Sequence, residues 1–408
     1  MQDRRDSSTT SARRPQFHQA TTDEILAGRT ADVYFERTLE ILKRNDLNPR
    51  VRAEFAVKGL PGSMPWAVFT GLEEVFALLE GRPVSLRGFP EGSFIRPHLP
   101  VFEIEGPYQT FAQLETAILG LVCQSSGVAT KAARVRHAAG NKTLISFGAR
   151  RMHPSVAPVI ERAAYIGGCD GVSVLKSAEL LGADPTGTMP HALILAFGDT
   201  LEAVKRYDEA IEPGVPRVAL IDTYMDEKFE AIRVADALGT TLDGIRLDTP
   251  GSRRGDFAQI IQEVRWELEL RGHSHVRIIV SGGLDENSVR ALRPLVDGYG
   301  VGTSIANAGT IDFSMDIVEI EGQPSAKRGK MSGAKQVWRE PETLIDTMLP
   351  LGRMPERDGL TPQLIDLMID GELVHDLPSP DQMRANVLDQ LQIAGAEMES
   401  TGPEEWKR

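Results

Sequence analysis

The stretch LDGIRLDTPGSRRGDFAQIIQEVRWELELRG, residues 242–272, contains one complete strand-loop-helix unit. Its apolar beginning predicts a β-strand over 242–249, and the Pro-Gly pair that follows predicts a loop. The next segment, 256–271, is typical of an amphipathic helix, because its large apolar residues fall on one face: Phe257, Ile260, Ile261, Val264 and Leu268. A strand followed by a helix is the repeating unit of α/β proteins.

The same unit recurs between residues 140 and 310. Seven strands are predicted: KTLISFGAR (142–150), CDGVSV (169–174), PTGTMPH (185–191), RVALIDTY (217–224), LDGIRLDT (242–249), VRIIVSGG (276–283) and GYGVGTSI (298–305). Helical patterns lie between them, including one that opens at Asp199, a typical N-cap residue. Because alternating strands and crossover helices make parallel sheets, we expect a closed or nearly closed α/β barrel rather than an open doubly wound sheet.

Polar residues and glycines follow the predicted strands. In chain order they are Arg150 with Arg151, Ser173, His191, Asp222, Arg246 with Asp248, Ser281-Gly282-Gly283 and Gly302-Thr303-Ser304. The carboxyl ends of the strands of a parallel barrel meet at one mouth, which is where active sites lie. We therefore expect these residues to surround a single site.

Composition limits the class of function. The chain has 408 residues, 41% of them hydrophobic and 25% charged, which is enough for a large core and an expected two domains. The formal net charge of −13 argues against a general binder of nucleic acid or of anionic membranes, since both reward a basic surface. An anionic substrate would therefore need a local cluster of Lys and Arg.

The two cysteines, Cys123 and Cys169, are too few for a disulfide framework or a cysteine zinc knuckle, so we expect no structural zinc. A reducing cytoplasm fits this composition. Residues 1–16 are polar and are expected to form a disordered tail without the apolar core of a signal peptide. The sequence contains no run of about 18 apolar residues, so we expect no membrane-spanning helix.

Two glycine-rich turns follow the last two predicted strands: SGGLDENS (281–288) and GVGTSIAN (300–307). Either turn alone is commonplace. Two on adjacent strands favour a monophosphate site, because backbone N–H groups can approach an anion closely where no side chain intervenes.

Other strand ends suggest further chemistry, each beside a structural alternative. Arg246 and Asp248 share one face of their strand and form either a plain salt bridge or part of a site. His191 is either structural or a phosphate contact and phosphoryl acceptor. Phe147 near Arg150 suits an aromatic acid. Together these groups favour phosphoribosyl pyrophosphate, with Asp248 touching its sugar or a Mg²⁺ ion.

The chain resembles nicotinate phosphoribosyltransferase, a type II phosphoribosyltransferase, from about residue 24 to about residue 390. Eleven stretches carry the resemblance in order: TADVYFERTLEIL (30–42), GLEEVFALLEG (71–81), FAQLETAILGLV (111–122), SGVATKAARV (126–135), SFGARR (146–151), AAYIGGCDGVS (163–173), GTMPHA (187–192), IRLDTPG (245–251), SGGLDE (281–286), GVGTSI (300–305) and VEIEGQPSAKRGKMSGAKQVWR (318–339). Most of these motifs are weak evidence for the family when taken singly. Eleven of them in the family's order, over nearly the whole chain, are a strong signal.

The resemblance implies an irregular α/β barrel with a second α/β sandwich domain made from both ends of the chain. The expected divisions are an N-terminal domain over 17–125, the barrel over 126–309 and a C-terminal region over 310–408 that completes the first domain and ends in helices. It also implies a head-to-tail homodimer in which the second domain of one subunit closes the barrel mouth of the other. A higher homo-oligomer is the alternative.

The resemblance further implies roles for individual residues. Tyr34, from the partner subunit, and Phe147 would sandwich the pyridine ring, and Arg150 would serve the ring and the diphosphate. His191, Arg246 and Asp248 would form the phosphoribosyl site, with Mg²⁺ near Asp248 and ATP as a co-substrate that phosphorylates His191. The remaining contacts would be a 5-phosphate cradle of Gly282, Gly283, Gly302 and Thr303, and diphosphate contacts from Lys58, Lys327 and Lys330.

Substrate choice is expected to depend on Ser173. A serine hydroxyl can donate to the carboxylate of nicotinate, whereas relatives that use nicotinamide have an aspartate at the comparable position. A shifted register would instead place Asp170 in the pocket. Two departures from the family pattern, Ser146 and Ala31, could alter the support around the ring.

The implied reaction forms nicotinate mononucleotide and diphosphate in NAD biosynthesis. Alternatives are quinolinate or nicotinamide phosphoribosyltransferase, a barrel lyase or aldolase acting on a sugar phosphate, and a non-catalytic nucleotide-binding relative. A lyase or aldolase would need a Schiff-base lysine or a metal-ligand set at the strand ends, and Lys142 begins its strand on the other side.

Overall fold

The computed structural model describes residues 16–61 and 64–400. The tail predicted over 1–16 lies outside the described residues except for Gln16. The strands, in chain order, are β1 Arg50–Val57, β2 Ala67–Val68, β3 Ser85–Gly88, β4 Phe94–Ile95, β5 Pro100–Pro107, β6 Thr143–Ser146, β7 Gly171–Val172, β8 Val218–Leu220, β9 Gly244–Leu247, β10 Arg277–Ser281, β11 Gly298–Val301, β12 Phe313–Ile320, β13 Gln323–Pro324, β14 Lys335–Arg339, β15 Asp346–Pro350, β16 Thr361–Pro362, β17 Ile365–Ile369 and β18 Glu372–Leu373.

The helices are α1 Thr22–Leu26, α2 Val33–Arg44, α3 Leu72–Leu79, α4 Tyr108–Phe111, α5 Glu115–Ala139, α6 Ala157–Ile166, α7 Leu175–Leu181, α8 His191–Phe197, α9 Thr200–Ala210, α10 Glu227–Leu238, α11 Gly251–Arg254, α12 Phe257–Leu270, α13 Glu286–Leu292, α14 Thr303–Ala306 and α15 Pro380–Ser400. In the part of the chain that the structure describes, no helix combines the length and the apolar character needed to cross a bilayer.

A parallel sheet of six strands carries the candidate site, in the order β7-β6-β11-β10-β9-β8. Its strands alternate with helices, which confirms the predicted α/β class. The predicted cap at Asp199 is also confirmed, because its side chain accepts a hydrogen bond from the Glu202 amide at the start of α9. Asp256 caps α12 in the same way, by accepting from the Gln259 amide. Closure of the sheet into a barrel stays a prediction, because β7 and β8 are the two ends of the hydrogen-bonded order.

The strand predicted at 185–191 is wrong. Residues 184–190 have no regular secondary structure, and His191 begins helix α8. Pro185 and Pro190 lack the amide hydrogens that a ladder requires, so the segment makes a single backbone bond to the sheet, from Thr186 N to Val172 O at 2.7 Å. It runs beside the sheet edge as extended chain.

A second sheet, antiparallel and seven-stranded, has the order β13-β12-β1-β5-β3-β17-β18. Three of its strands, β1, β3 and β5, precede the parallel sheet in sequence, and the other four follow it. The second layer is therefore built from both ends of the chain, as predicted. A three-stranded sheet, β15-β14-β16, and the pair β2-β4 complete the architecture.

Helix α5 joins the two hydrophobic cores. Its first half contributes Ile118 and Val122 to the core under the antiparallel sheet, while Val128 and Ala132 belong to the core around the parallel sheet. The division predicted between residues 125 and 126 falls inside this helix, and the domain boundaries stay a prediction.

Candidate functional site

The carboxyl ends of the parallel strands bring five predicted or strand-end residues together. We call Phe147, His191, Asp222, Arg246 and Asp248 the mouth group. His191 Nε2 lies 3.6 Å from Asp248 Oδ2 and 3.8 Å from Asp222 Oδ2, and the Arg246 guanidinium carbon lies 6.0 Å from the centre of the Phe147 ring. The convergence expected of a parallel sheet is thus present for these residues.

His191 occupies the first position of α8 rather than a strand end. Its Nδ1 lies 3.0 Å from Thr223 Oγ1, which leaves Nε2 directed at the two carboxylates. The imidazole is 38% exposed, so one face of it remains accessible from the mouth.

The two carboxylates of the mouth group have different surroundings. Asp248 is half-buried and accepts a hydrogen bond from Ser281 Oγ at 2.8 Å. Asp222 is 2% exposed, and neither of its oxygens has a hydrogen-bond partner among the described residues. Burial raises the pKa of Asp222, against the influence of His191. A buried carboxylate without partners is costly, and a ligand hydroxyl or a cation would relieve that cost.

Arg246 lies on β9 and Asp248 directly follows the end of this strand, while Ile245 and Leu247 are buried in the surrounding core. No ion pair joins Arg246 to Asp248 among the described residues. Instead Arg246 donates to Thr188 Oγ1, and its Nε is buried without a partner. Burial also lowers the pKa of this guanidinium. A plain salt bridge therefore does not account for the pair.

Phe147 lies over the backbone of β11. A Cβ atom built on Gly300 would stand 2.2 Å from two atoms of the Phe147 ring, so only glycine leaves room for the ring in this place. Phe147 N also donates to Val301 O at 2.9 Å, which fixes the main chain at the start of the loop after β6. The ring is thereby held as one wall of the mouth.

The glycine turn after β10 is next to Asp248. Gly282 and Gly283 have φ of +83° and +63°, a region that favours glycine. A Cβ on Gly282 would lie 2.8 Å from Asp248 Oδ1. Gly302 and Thr303 stand at the matching end of β11, with Thr303 exposed as the first residue of α14.

Arg150 and Arg151 lie in a short 3₁₀ turn after Phe147. Both are exposed, and neither has a side-chain partner within the described part of the chain. They are cations at the rim of the mouth that are not neutralised by a neighbouring carboxylate.

Ser173 follows β7, but its hydroxyl is engaged. Ser173 Oγ donates to Glu161 Oε1 at 2.8 Å, and the amides of Ser173 and Val174 donate to the same carboxylate at 3.1 and 2.9 Å. In this geometry Ser173 can offer a ligand only oxygen lone pairs, contrary to the expected donation to a carboxylate. Asp170 lies before β7, paired with Arg136 and Arg384, so it belongs to the opposite end of the strand.

The remaining predicted residues lie on the antiparallel layer. Tyr34 is exposed on α2, Lys58 is exposed after β1, and Lys327 and Lys330 follow β13. Both lysines from the last loop form ion pairs with Asp316 on β12, with Lys330 Nζ 2.6 Å from Asp316 Oδ2. The structure does not bring these four residues into the mouth group of the same chain.

A half-buried carboxylate, Glu115, lies beside this lysine pair. Burial raises the pKa of Glu115 to about 7, and the negative charge of Asp316 adds to the shift. Burial alone would raise the pKa of Asp316 as well, but Lys327 and Lys330 outweigh it and hold that pKa below its usual value. This second group therefore combines two lysines with two carboxylates, of which Asp316 is buried and Glu115 is half-buried.

Among the described residues, no three His, Cys, Asp or Glu side chains are grouped so that they could hold a metal ion by themselves. The oxygens of Asp222 and Asp248 are nonetheless the type of donor that Mg²⁺ prefers. Asp222 and Asp248 are therefore the mouth residues that could contribute to holding a divalent cation.

Several mouth residues were not among the predicted site residues. Asp222 was noted at a strand end, and that position alone was the signal for it. Thr188 and Glu161 act through neighbours that are distant in sequence, so the strand pattern contained no signal for them. Gly300 was predicted only as the first residue of the glycine-rich turn at 300–307, and its contact with Phe147 was not foreseen.

Comparison with known proteins gives consistent matches over most of the chain. Residues 128–316 match the family described as quinolinate phosphoribosyl transferase, C-terminal domain, and residues 32–126 match its N-terminal domain. Nicotinate phosphoribosyltransferase pncB1 of Mycobacterium tuberculosis is 33% identical over 288 residues, covering 66% of this chain and 62% of that protein. This chain thus spans less than two thirds of the length of that relative.

Two solved structures resemble the whole fold. A nicotinate-nucleotide pyrophosphorylase from Pyrococcus furiosus is 48% identical, with a TM-score of 0.91 over 94% of this chain and 99% of that one. Human nicotinic acid phosphoribosyltransferase is 20% identical, with a TM-score of 0.73 over 92% and 95% of the two chains, and shows the shared fold.

Proposed function

Because this chain belongs to the type II phosphoribosyltransferase family, we propose that it transfers the phosphoribosyl group of phosphoribosyl pyrophosphate to nicotinate. The products are nicotinate mononucleotide and diphosphate, an entry into NAD biosynthesis. The observation that carries the proposal is the mouth group, in which a buried carboxylate without partners, Asp222, stands beside Asp248 and His191 at the strand ends.

Each part of the donor substrate has a matching feature. The glycine turn after β10 and the turn at Gly302 and Thr303 suit the 5-phosphate, because their backbone carries no bulky side chain. Asp222 and Asp248 accept from the ribose hydroxyls, which relieves the unpaired state of Asp222. Asp222 and Asp248 would also hold Mg²⁺, which supplies positive charge to the leaving diphosphate.

In the reaction, the lone pair of the pyridine nitrogen forms the bond to C1 of the ribose as the bond from C1 to diphosphate breaks. Phe147 and Arg246 position the ring near C1, which lowers the entropic cost of the encounter. Carboxylates beside the ribose favour the positive charge that develops on the sugar in the transition state. The nucleophile is already unprotonated, so no general base is required.

ATP is proposed as a co-substrate through His191. The accessible imidazole and the contact between its Nδ1 and Thr223 leave Nε2 as the atom that accepts the γ-phosphoryl group of ATP. ADP leaves in that step, and hydrolysis of the phosphohistidine returns inorganic phosphate and the free imidazole.

The chain is proposed to act as a head-to-tail homodimer in which Tyr34, Lys58, Lys327 and Lys330 of one subunit complete the mouth of the other. Support comes from exposed apolar residues on both surfaces. The rim after β7, on α8 and after β8 exposes Leu175, Leu180, Leu195, Phe197, Tyr224 and Met225, while α2 exposes Val33, Tyr34 and Ile41. Burial of two such surfaces against each other would be favourable.

Quinolinate is the second candidate substrate. It carries one more carboxylate than nicotinate, and Arg150 and Arg151 are two unpaired cations at the rim that could receive it. The match to the quinolinate phosphoribosyl transferase family points in the same direction. Against it, the Mycobacterium tuberculosis relative is named for nicotinate.

A substrate panel tests the proposal. The purified protein is incubated with Mg²⁺, phosphoribosyl pyrophosphate and one of nicotinate, nicotinamide or quinolinate, each with and without ATP, and the nucleotide and diphosphate are quantified. We expect nicotinate to give the highest kcat/KM and ATP to raise the rate. Turnover of quinolinate alone, with release of CO₂, would assign the other activity, and binding without any turnover would indicate a non-catalytic relative.

A further inference from the structure

Arg254 lies in the loop between β9 and α12, at the end of the short helix α11. Its side chain turns back over the mouth loops and is half-buried, whereas the adjacent Arg253 is exposed.

The Arg254 guanidinium binds three main-chain carbonyls that belong to two neighbouring strand ends. Its Nε donates to Thr249 O at 2.9 Å, just after β9. One terminal nitrogen donates to Ser281 O at 3.1 Å and to Gly282 O at 2.6 Å, at the end of β10. The guanidinium also lies over the Phe257 ring, with 4.4 Å between its carbon and the ring centre.

These bonds fix the direction of the glycine turn. In a trans peptide the C=O and the following N–H point in opposite directions. The carbonyls of Ser281 and Gly282 point at Arg254, so the amides of Gly282 and Gly283 point away from it. Two successive amides with a common direction are the arrangement that receives an anion in a backbone nest.

The same two strand ends are tied together from the other side. Ser281 Oγ donates to Asp248 Oδ1 at 2.8 Å, so any shift of the turn after β10 also moves Asp248. The positive φ values of Gly282 and Gly283 make this turn conformationally permissive, and a permissive turn needs an external restraint to keep one conformation.

We propose that Arg254 is a positioning residue that holds the amides of Gly282 and Gly283 and the carboxylate of Asp248 in the geometry that receives the phosphoribosyl group. It acts through main-chain carbonyls and does not contact the substrate. The inference rests on the proposed function, because the phosphate cradle is part of that function.

Arg253 provides a matched control. It is the adjacent residue and has the same charge, but within the described residues its side chain has no partner. Three variants are compared with the parent: Arg254→Gln removes charge and bonds, Arg254→Lys keeps the charge but lacks the planar fork, and Arg253→Gln removes only an exposed charge.

Two measurements are made on each protein: calorimetric binding of ribose 5-phosphate, which requires no turnover, and the KM values for phosphoribosyl pyrophosphate and nicotinate. We expect Arg254→Gln to weaken ribose 5-phosphate binding and to raise the KM for phosphoribosyl pyrophosphate by about tenfold or more, since it removes charge-assisted hydrogen bonds. The KM for nicotinate should change by less than about twofold, because the altered turn receives the phosphate rather than the ring. Arg254→Lys should fall between Arg254→Gln and the parent, and Arg253→Gln should match the parent.

Equal losses in Arg253→Gln and Arg254→Gln, or full function in Arg254→Lys, would show that charge alone matters and would overturn the inference. No binding of ribose 5-phosphate to the parent would overturn it as well. If the parent binds ribose 5-phosphate with this ranking of variants but turns over none of the three pyridines, the proposed function fails while the role of Arg254 stands. Should Arg254→Gln fail to fold, the comparison of Arg254→Lys with Arg253→Gln decides the question.

Discussion

At the scale of single residues, the two carboxylates of the mouth group differ in what holds them. Asp248 has a hydroxyl partner in Ser281, whereas Asp222 is buried without a hydrogen-bond partner among the described residues and lies 3.8 Å from His191 Nε2. Burying a carboxylate without a hydrogen bond costs folding free energy, and no hydrogen bond within the described chain offsets that cost. Under the proposed function, ribose hydroxyls or a cation bound in the mouth would offset this cost.

Asp222→Asn should therefore lower kcat/KM by at least about a hundredfold while thermal stability stays equal to the parent or rises, since the change removes a buried charge that accepts no hydrogen bond. Enzyme assay and thermal unfolding check the two effects. The matched control is Glu230→Gln, which alters another buried carboxylate, one that is paired with Arg233. That variant should lose stability and keep activity; the opposite pattern in the two variants would contradict the assignment of Asp222.

Glu115 predicts a pH effect. Its folded pKa of about 7 lies above the usual 4.5, so the folded chain holds a proton that the unfolded chain has released between these values. Stability from this group is present below pH 4.5 and is lost as the pH rises toward 7.

Glu115→Gln should remove that dependence. Relative to the parent, its Tm should be unchanged near pH 4.5 and higher by about 2 °C or more at pH 8. The exposed Glu36→Gln change on α2 is the control, and its difference from the parent should not vary with pH. A Tm difference for Glu115→Gln that is the same at both pH values would refute the shift.

Much of the residue-level prediction rested on strand alternation. That period predicted Arg246 and Asp248 on one face; in the structure β9 ends at Leu247, and both residues belong to the mouth group. It could not reveal that the hydroxyl of Ser173 is taken by Glu161, since that carboxylate comes from the face of helix α6. Contacts between elements depend on packing, which a single strand pattern does not contain.

At the scale of elements, strands and helices with strong patterns were predicted well. The cap at Asp199 and the buried face of α12 are confirmed. The failed strand at 185–191 had β-branched residues but also two prolines, and the missing amide hydrogens decided the outcome. Residues 185–190 still pass beside the mouth, where the Thr188 hydroxyl accepts a hydrogen bond from Arg246.

Strand β11 provides a test at this scale, because its glycines make space inside the sheet. Gly300→Ala places a methyl group 2.2 Å from the Phe147 ring, so the ring must move. We expect the KM for nicotinate to rise about tenfold or more, with little change in the KM for phosphoribosyl pyrophosphate.

Gly298→Ala is the control on the same strand, where the nearest atom, Thr143 Cβ, is 3.1 Å from the added carbon. It crowds the sheet without touching Phe147, so any loss of stability should not be accompanied by a selective change in the KM for nicotinate. If both variants change the two KM values alike, Phe147 does not bound the ring site.

At the scale of the whole molecule, the predicted site residues occupy two surfaces. The mouth group lies on the parallel sheet, while Tyr34, Lys327 and Lys330 lie on the antiparallel layer around Asp316 and Glu115. The use of both chain ends in one layer followed from the family resemblance. The order of its seven strands could not be predicted, because the pairing joins segments hundreds of residues apart, as in Val51 with Ile320.

Complementation tests whether two subunits share each site. Asp248→Asn and Tyr34→Ala should each be inactive alone. When the two proteins are unfolded together and refolded, random pairing in a head-to-tail dimer leaves one intact site in half of the dimers, so roughly a quarter of the parent activity should return. Mixtures that stay inactive, although mixed dimers form, would place both residues in the same site of one chain.

The central proposal is that residues at the carboxyl ends of the parallel strands bind phosphoribosyl pyrophosphate, an activated sugar phosphate. The most direct measurement is calorimetric titration of the parent, Asp248→Asn and Asp243→Asn with magnesium phosphoribosyl pyrophosphate. Asp243 lies at the opposite end of the same strand and accepts from Arg217 N at 2.6 Å. We expect one binding site per chain in the parent and in Asp243→Asn, and no detectable binding in Asp248→Asn. Equal binding by all three proteins, or no binding by the parent, would contradict it.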